Sequence, residues 1–181
     1  MASYNYKASE LNPYDTSGAS CCEVEVDLLT GNIILKRVDI MEDLGESMSP
    51  GIDVGQVEGA FILGLGYWLT EKLIYDPKSG ELLTNRTWNY KPPGAKDIPV
   101  DFRVTFLKKS SNKFGVLRSK ACGEPATSMA VVAVFAIRHA LDSARKDSGI
   151  KNDEYYHLGA PTTPENIFLA ANNLKEQYLL N

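Results

Sequence analysis

Alternation of polar and apolar side chains near the start of the chain predicts a β-hairpin. Residues 23–28 alternate acidic and aliphatic side chains, as expected for a strand with one buried face. The turn-forming sequence Thr30-Gly31-Asn32 follows, and residues 33–40 are again rich in strand-forming side chains. Alternation returns in residues 100–107, which we expect to form a further strand.

Helical spacing of apolar residues replaces alternation in the remaining long segments. Ser49 followed by Pro50 is a typical helix start, and we expect this helix to continue to about Lys72. Residues 126–145 contain no proline or glycine and place apolar side chains three and four positions apart, which predicts a second long helix with one buried face. Thr163-Pro164-Glu165 predicts the start of a short final helix.

The connections and the first residues show neither periodicity. Residues 73–84 contain a proline-glycine turn between two short apolar stretches, and residues 88–99 contain three prolines, so we expect an extended loop there. Residues 1–18 are polar and read as a lead-in segment, with residues 19–181 as one domain or subdomain. The predicted fold class is α+β, with a hairpin and a mixed sheet packed against two long helices.

Three glycines of the first predicted helix lie on one face. Gly51, Gly55 and Gly59 recur every fourth residue, and each glycine in a helix interior costs about 1 kcal/mol relative to alanine. Something is therefore expected to approach this backbone closely. Packing of another helix or strand is one explanation, and a ligand laid against the glycines, with Gln56 as a polar contact, is the other.

Composition limits the classes of partner and compartment. A net charge of -4 and a pI near 5.2 provide no basic surface for nucleic acid, and no apolar run reaches the roughly 18 residues of a membrane span. The first residues do not resemble a secretory signal, so we expect a cytoplasmic protein. Cys21 and Cys22 are adjacent and Cys122 stands alone, a spacing that fits neither a zinc site nor a cysteine-ligated iron-sulfur cluster, and no protein metal ligand is predicted.

Glu124 is the strongest candidate for chemistry. It lies between Gly123 and Pro125 at a predicted helix start, where the helix dipole favours an ionised carboxylate that can accept a proton. The alternative is a glutamate that only caps the helix. A Cys122 nucleophile with His139 or His157 as its base is a weaker hypothesis. Acidic residues 42, 43 and 46 are expected to form a solvated loop.

Three segments, in matching order and spacing, resemble the aldehyde oxidase and xanthine dehydrogenase family of molybdenum hydroxylases. They are the hairpin at 23–31, the stretch 47–66 with Gly-Gln-Val-Glu-Gly at 55–59, and Ser-Lys-Ala-Cys-Gly-Glu-Pro at 119–125. The resemblance implies that Gly55 and Gln56 lie at a molybdenum-molybdopterin cofactor. It also implies that Glu124 is the base that activates a metal-bound hydroxyl for attack on an electron-poor carbon.

The resemblance also sets expectations for the rest of the protein. Full-length members of the family are several times longer, carry 2Fe-2S clusters and FAD, and form homodimers, so this chain should represent the C-terminal molybdopterin-binding part and be inactive alone. Residues 84–99 resemble insect-type aldehyde oxidases, which favours a small-molecule aldehyde over an N-heterocycle as substrate. A purine hydroxylase, an inactive cofactor-binding or scaffolding fragment, and an unrelated hydrolase using Cys122 are the alternatives.

Overall fold

A computed structural model describes residues 13–150 and 155–173 of the chain. The predicted hairpin is confirmed: β1 (Gly18–Val26) pairs antiparallel with β2 (Ile33–Glu42). Its turn is closed by the Asp27 carboxylate, which accepts hydrogen bonds from the Leu29 amide and the Thr30 hydroxyl. Gly31 turns the chain with a φ of 73°, a conformation that glycine adopts without steric cost.

The sheet is small and mixed. The third strand, β3 (Asp101–Phe106), lies within the predicted residues 100–107 and pairs parallel with β2, which gives the strand order β1-β2-β3. One face of β2 points into the core: Val38, Ile40 and Glu42 on that face are buried, whereas Met41 on the other face is exposed. The α+β class expected from the sequence is confirmed.

Helix α1 (Pro50–Leu65) begins where predicted, but its last part changes helix type. Residues Gly66–Thr70 continue it as a single π-helical turn, and the Glu71 amide closes that turn on the Gly66 carbonyl at 2.9 Å. Helical backbone therefore ends at Thr70, two residues before the expected end at about Lys72. Gly66 lies so close to its neighbours that an added Cβ would be 2.3 Å from a Glu71 carboxylate oxygen and 2.7 Å from Pro93. The side chains of Glu71 and Pro93 therefore crowd the backbone at the point where the helix changes from α to π.

The predicted helix over 126–145 is two helices, so this prediction of one continuous helix was wrong. They are α2 (Gly123–Met129) and α3 (Val132–Asp147), separated by Ala130 and Val131. Here the backbone tightens, with the amides of Ala133 and Val134 bonding three residues back at 3.2 and 3.0 Å. The Ser20 hydroxyl of β1 donates to the Met129 carbonyl at 3.2 Å, so the hairpin takes up one of the carbonyls at this break.

The remaining segments largely follow the prediction. Helix α4 (Pro164–Ala171) is capped by the Thr163 hydroxyl, which accepts a hydrogen bond from the Asn166 amide at 3.4 Å. Residues 73–84 form a hairpin-like turn with a single bridge between Tyr75 and Leu82. The loop predicted over residues 88–99 contains one 3-10 turn at Ala95–Asp97 and is otherwise non-helical.

The core lies between the sheet and helices α1, α2 and α3. Phe61 of α1 is fully buried and packs on Phe102 of β3, with ring centroids 5.4 Å apart. From α3, Ile137 and Leu141 are also fully buried. Within the described ranges, no helix is long and apolar enough to cross a membrane.

Candidate functional site

The glycine face of α1 is open. Gly51, Gly55 and Gly59 are exposed, and a Cβ added to any of them would meet nothing within 4 Å among the described residues. Helix or strand packing within this part of the chain is therefore the wrong explanation for these three glycines. Gln56 is exposed beside them. The structure leaves this face accessible to a group from outside.

Close packing occurs instead on a neighbouring face of the same helix. A Cβ on Gly64 would lie 2.4 Å from the Thr127 carbonyl oxygen and 2.6 Å from the Ala130 Cβ. Only a glycine allows α1 to approach α2 this closely. A Cβ on Gly123 would lie 3.8 Å from the Ala60 Cβ, so the first residue of α2 also lies against α1.

Glu124 is exposed and occupies the second position of α2. The N-cap residue of this helix is Cys122, and no side chain caps it. The alternative in which Glu124 only caps the helix is therefore not supported by this geometry.

The packing of α1 on α2 brings the two sequence motifs together. Ala60, which faces Gly123, lies one helical turn after Gln56, and Glu124 follows Gly123 directly. The Cys122 thiol lies within electrostatic range of Asp53, one turn before Gln56. The structure therefore places the Gln56 helix and the Glu124 loop side by side, although 68 residues of sequence separate the two side chains.

The loop that leads to Glu124 is fixed by a network that the sequence reasoning missed. The Lys120 ammonium donates to an Asp43 carboxylate oxygen at 2.5 Å and to the Asp15 carbonyl at 2.8 Å. Asp43 also accepts hydrogen bonds from the Ser110 hydroxyl and from the Gly45 amide. The one available signal was that Lys120 belongs to the same motif as Glu124.

The acidic residues at the end of β2 do not form the solvated loop that we expected. Burial raises the pKa of the Asp43 carboxyl, but the bonds from Lys120, Ser110 and the Gly45 amide outweigh burial, so its pKa lies below the usual value. Glu46 is the exposed member and pairs with Arg118 at 3.1 Å. The expectation therefore fails for Asp43, which is sheltered and paired.

Glu42 departs furthest from that expectation. Its side chain takes the inward position after Val38 and Ile40 and has no exposed surface. Neither of its carboxylate oxygens has a hydrogen-bond partner among the described residues. Burial, with a smaller contribution from the charge of Asp43, raises the pKa of Glu42 to about 7. The fold therefore shifts this carboxyl toward its protonated form.

The environment of Cys122 argues against a nucleophilic thiolate. Burial raises the pKa of this thiol, and the negative charges of Asp53 and Glu42 raise it further. His139 and His157 are both exposed. Because a cysteine nucleophile needs its pKa lowered, these surroundings disfavour the hydrolase alternative.

The exposed residues around Gln56 and Glu124 fit a large polar cofactor. The glycines leave α1 backbone accessible, and the Gln56 amide can both donate and accept hydrogen bonds. Within residues 13–150 and 155–173, no group of three or more histidine, cysteine or acidic side chains is arranged to hold a metal ion.

Comparison with known proteins gives the family. A molybdopterin cofactor-binding domain matches residues 2–99. The chain is 42% identical over 166 residues to xanthine dehydrogenase/oxidase of Rattus norvegicus and 44% identical over 158 residues to aldehyde oxidase 4 of Mus musculus. These alignments cover 91% and 87% of the chain but only 12% of each relative.

Solved structures show the same fold. Quinoline 2-oxidoreductase from Pseudomonas putida 86 superimposes with a TM-score of 0.66 at 29% identity, covering 82% of this chain and 17% of that protein. A Cu,Mo-CO dehydrogenase superimposes with a TM-score of 0.70 at 20% identity, covering 86% of this chain and 18% of the other, which shows the fold alone. The fold and sequence define a molybdopterin cofactor-binding domain. The chain belongs to the xanthine dehydrogenase and aldehyde oxidase family of molybdenum hydroxylases.

Proposed function

We propose that this chain is the molybdopterin-binding part of a longer hydroxylase that converts aldehydes to carboxylic acids, with Glu124 as its general base. The observation that carries the proposal is the packing of α1 on α2, in which Gly123 faces Ala60 so closely that an added Cβ would lie 3.8 Å from the Ala60 Cβ. This packing lies between Glu124 and the helix that presents Gln56. The chain spans about 12% of the length of the relatives it matches. The remaining parts of such an enzyme, including homodimer contacts, belong to this proposal.

Gln56 and Gly55 would hold the cofactor. Both are exposed on the open face of α1, in the second turn of the helix. The absence of side chains at the glycines allows the cofactor to lie against the backbone. Gln56 would orient it by hydrogen bonds from the side-chain amide.

Glu124 would take and hold the proton released in the reaction. Its carboxylate is exposed toward solvent in this chain, so it is free to face a group bound outside the described residues. A general base accepts a proton in its carboxylate form, and the first turn of α2 presents this carboxyl group on the surface. When bound, the molybdenum cofactor would supply the redox chemistry, and 2Fe-2S clusters and FAD in the rest of the enzyme would remove the electrons.

The proposal of an aldehyde substrate rests on residues 84–99, whose sequence resembles that of insect-type aldehyde oxidases. The relatives include both xanthine dehydrogenases and an aldehyde oxidase at similar identity. The assay is therefore a comparison of kcat/KM for benzaldehyde and for hypoxanthine with the full-length protein. A higher value for hypoxanthine would replace the aldehyde proposal by the purine one.

The decisive variant for the catalytic role is Glu124→Gln in the full-length protein. Glutamine keeps the size of glutamate but cannot accept the proton, so we expect a loss of about 10²- to 10⁴-fold in rate with unchanged molybdenum content. Steady-state rates, metal analysis and melting temperature are measured on the same preparation. A variant with normal molybdenum that keeps more than about a tenth of the rate would overturn the assignment.

A further inference from the structure

We propose that Asp43 and Lys120 are positioning residues whose sheltered ion pair fixes the Glu124 loop relative to the Gln56 helix. This inference rests on the proposed function and adds to it the ion pair that holds Gln56 and Glu124 in a fixed relative position. The two charged side chains are 77 residues apart in sequence and meet at 2.5 Å.

The pair joins the two segments that lead into the site. On one side, Asp43 follows β2 and begins the stretch that enters α1 at Pro50. On the other side, Lys120 precedes Glu124 by four residues. Backbone bonds run in parallel with the ion pair: the Lys120 amide donates to the Leu44 carbonyl at 2.7 Å, and the Glu46 amide donates to the Arg118 carbonyl at 3.0 Å.

Shelter from solvent distinguishes this pair from ordinary surface ion pairs. The side chains of Lys120 and Asp43 are only 11% and 14% exposed, so water screens their attraction poorly. Additional hydrogen bonds occupy the remaining groups: Lys120 reaches the Asp15 carbonyl, and Asp43 accepts from Ser110 and from the Gly45 amide. A sheltered ion pair holds a single geometry when its remaining donors and acceptors also have hydrogen-bond partners, as they do here.

The backbone before Lys120 needs an anchor of this kind. Leu117 and Arg118 have φ angles of 49° and 64°, a left-handed conformation that non-glycine residues rarely adopt. Such conformations persist where the surroundings determine them. Tyr14 adds a further contact, because its hydroxyl accepts a hydrogen bond from the Ala121 amide at 3.1 Å. The loop that presents Glu124 is therefore held on both sides of Lys120.

The structure provides a matched control. Arg118 and Glu46 form an ion pair at 3.1 Å between the same two segments, but their side chains are 67% and 47% exposed. Exposed pairs of this kind contribute little to stability. If shelter and multiple hydrogen bonds make the Asp43–Lys120 pair a positioning device, removing the exposed pair should leave the site unchanged.

The test compares Lys120→Met, Lys120→Arg and Glu46→Gln in the full-length, cofactor-loaded protein. We expect Lys120→Met to lower kcat about 10- to 100-fold with little change in KM, because a small displacement of a catalytic group is enough for such a loss. Lys120→Arg, which keeps the charge, should recover most of the rate, and Glu46→Gln should match wild type. Hydrogen–deuterium exchange should increase in residues 119–125 of Lys120→Met, but not in Lys120→Arg or Glu46→Gln.

Each outcome decides the proposal. Wild-type kcat and exchange in Lys120→Met, or an equal loss in Glu46→Gln, would overturn it. If Lys120→Met does not fold or loses its molybdenum, Asp43→Asn, which removes the charge but keeps the side-chain size, is judged by the same two measurements. Glu124→Gln separates the two levels of inference: a silent Glu124→Gln refutes the proposed function, whereas an inactive Glu124→Gln with a silent Lys120→Met refutes only the positioning role.

Discussion

The buried Glu42 carboxyl predicts an unusual pH dependence of stability. Its pKa is raised from 4.5 to about 7 in the folded protein, because burial disfavours the charged form and the side chain has no hydrogen-bond partner among the described residues. In the unfolded chain the same group should titrate near its ordinary value. As the pH rises from about 4.5 to 7, the unfolded state therefore loses this proton first, and the free energy of unfolding falls.

The magnitude follows from the size of the shift. One unit of pKa corresponds to about 1.4 kcal/mol, so a shift from 4.5 to about 7 amounts to about 3 kcal/mol. This contribution to stability is fully present below pH 4.5 and is lost as the pH rises through 7. Glu42→Gln removes the titrating group while keeping the side-chain size. The free energy of unfolding of this variant minus that of wild type should therefore increase by about 3 kcal/mol as the pH rises from 4 to 8.

Urea unfolding at closely spaced pH values between 4 and 8 measures this difference directly. Glu23→Gln is the matched control, because Glu23 lies exposed on the same hairpin, and its curve should follow that of wild type across the range. A difference between Glu42→Gln and wild type that stays constant within about 0.5 kcal/mol from pH 4 to 8 would refute the reasoning, since it would show that Glu42 titrates alike in both states.

Two further predictions concern the helix faces and the thiol. Gly64→Ala should destabilise the protein by about 1–3 kcal/mol, because the new Cβ would lie 2.4 Å from the Thr127 carbonyl oxygen. Gly59→Ala lies on the open face, where alanine favours the helix more than glycine does, so it should raise the melting temperature of the chain. The same substitution should lower the molybdenum content of the full-length protein. Equal effects on stability at the two glycines would contradict the assignment of the faces. Cys122→Ser should retain the cofactor content and the rate of the wild-type enzyme. The wild-type thiol should react slowly with iodoacetamide at pH 7, because burial raises its pKa. Rapid inactivation by this reagent would indicate a functional role for Cys122.

Sequence patterns correctly predicted the elements whose formation depends on interactions between neighbouring residues. Alternation gave the hairpin, and the Thr163 and Pro164 signals gave the start of α4, because both depend on neighbouring residues. The break between α2 and α3 could not be predicted this way. No proline or glycine marks it, and the Ser20 hydroxyl that bonds the Met129 carbonyl comes from a strand 109 residues away.

The candidate site divides along the same line. The resemblance of three motifs to known sequences indicated the family, which the comparisons confirm, and the same resemblance selected Gly55, Gln56 and Glu124. The catalytic and cofactor roles of these residues remain predictions. The sequence also presented the glycines at 51, 55 and 59 as one face but left open whether that face is packed.

Only the tertiary structure decided which surfaces are covered and which charges are sheltered. The open glycine face and the packed Gly64 are on one helix and differ only in whether α2 lies against them. Adjacent acids Glu42 and Asp43 differ as sharply: β2 alternation turns the first into the core, while the second meets Lys120 from 77 residues away. Burial and long-range pairing depend on how distant segments come together, and a pattern of neighbouring residues does not contain that information.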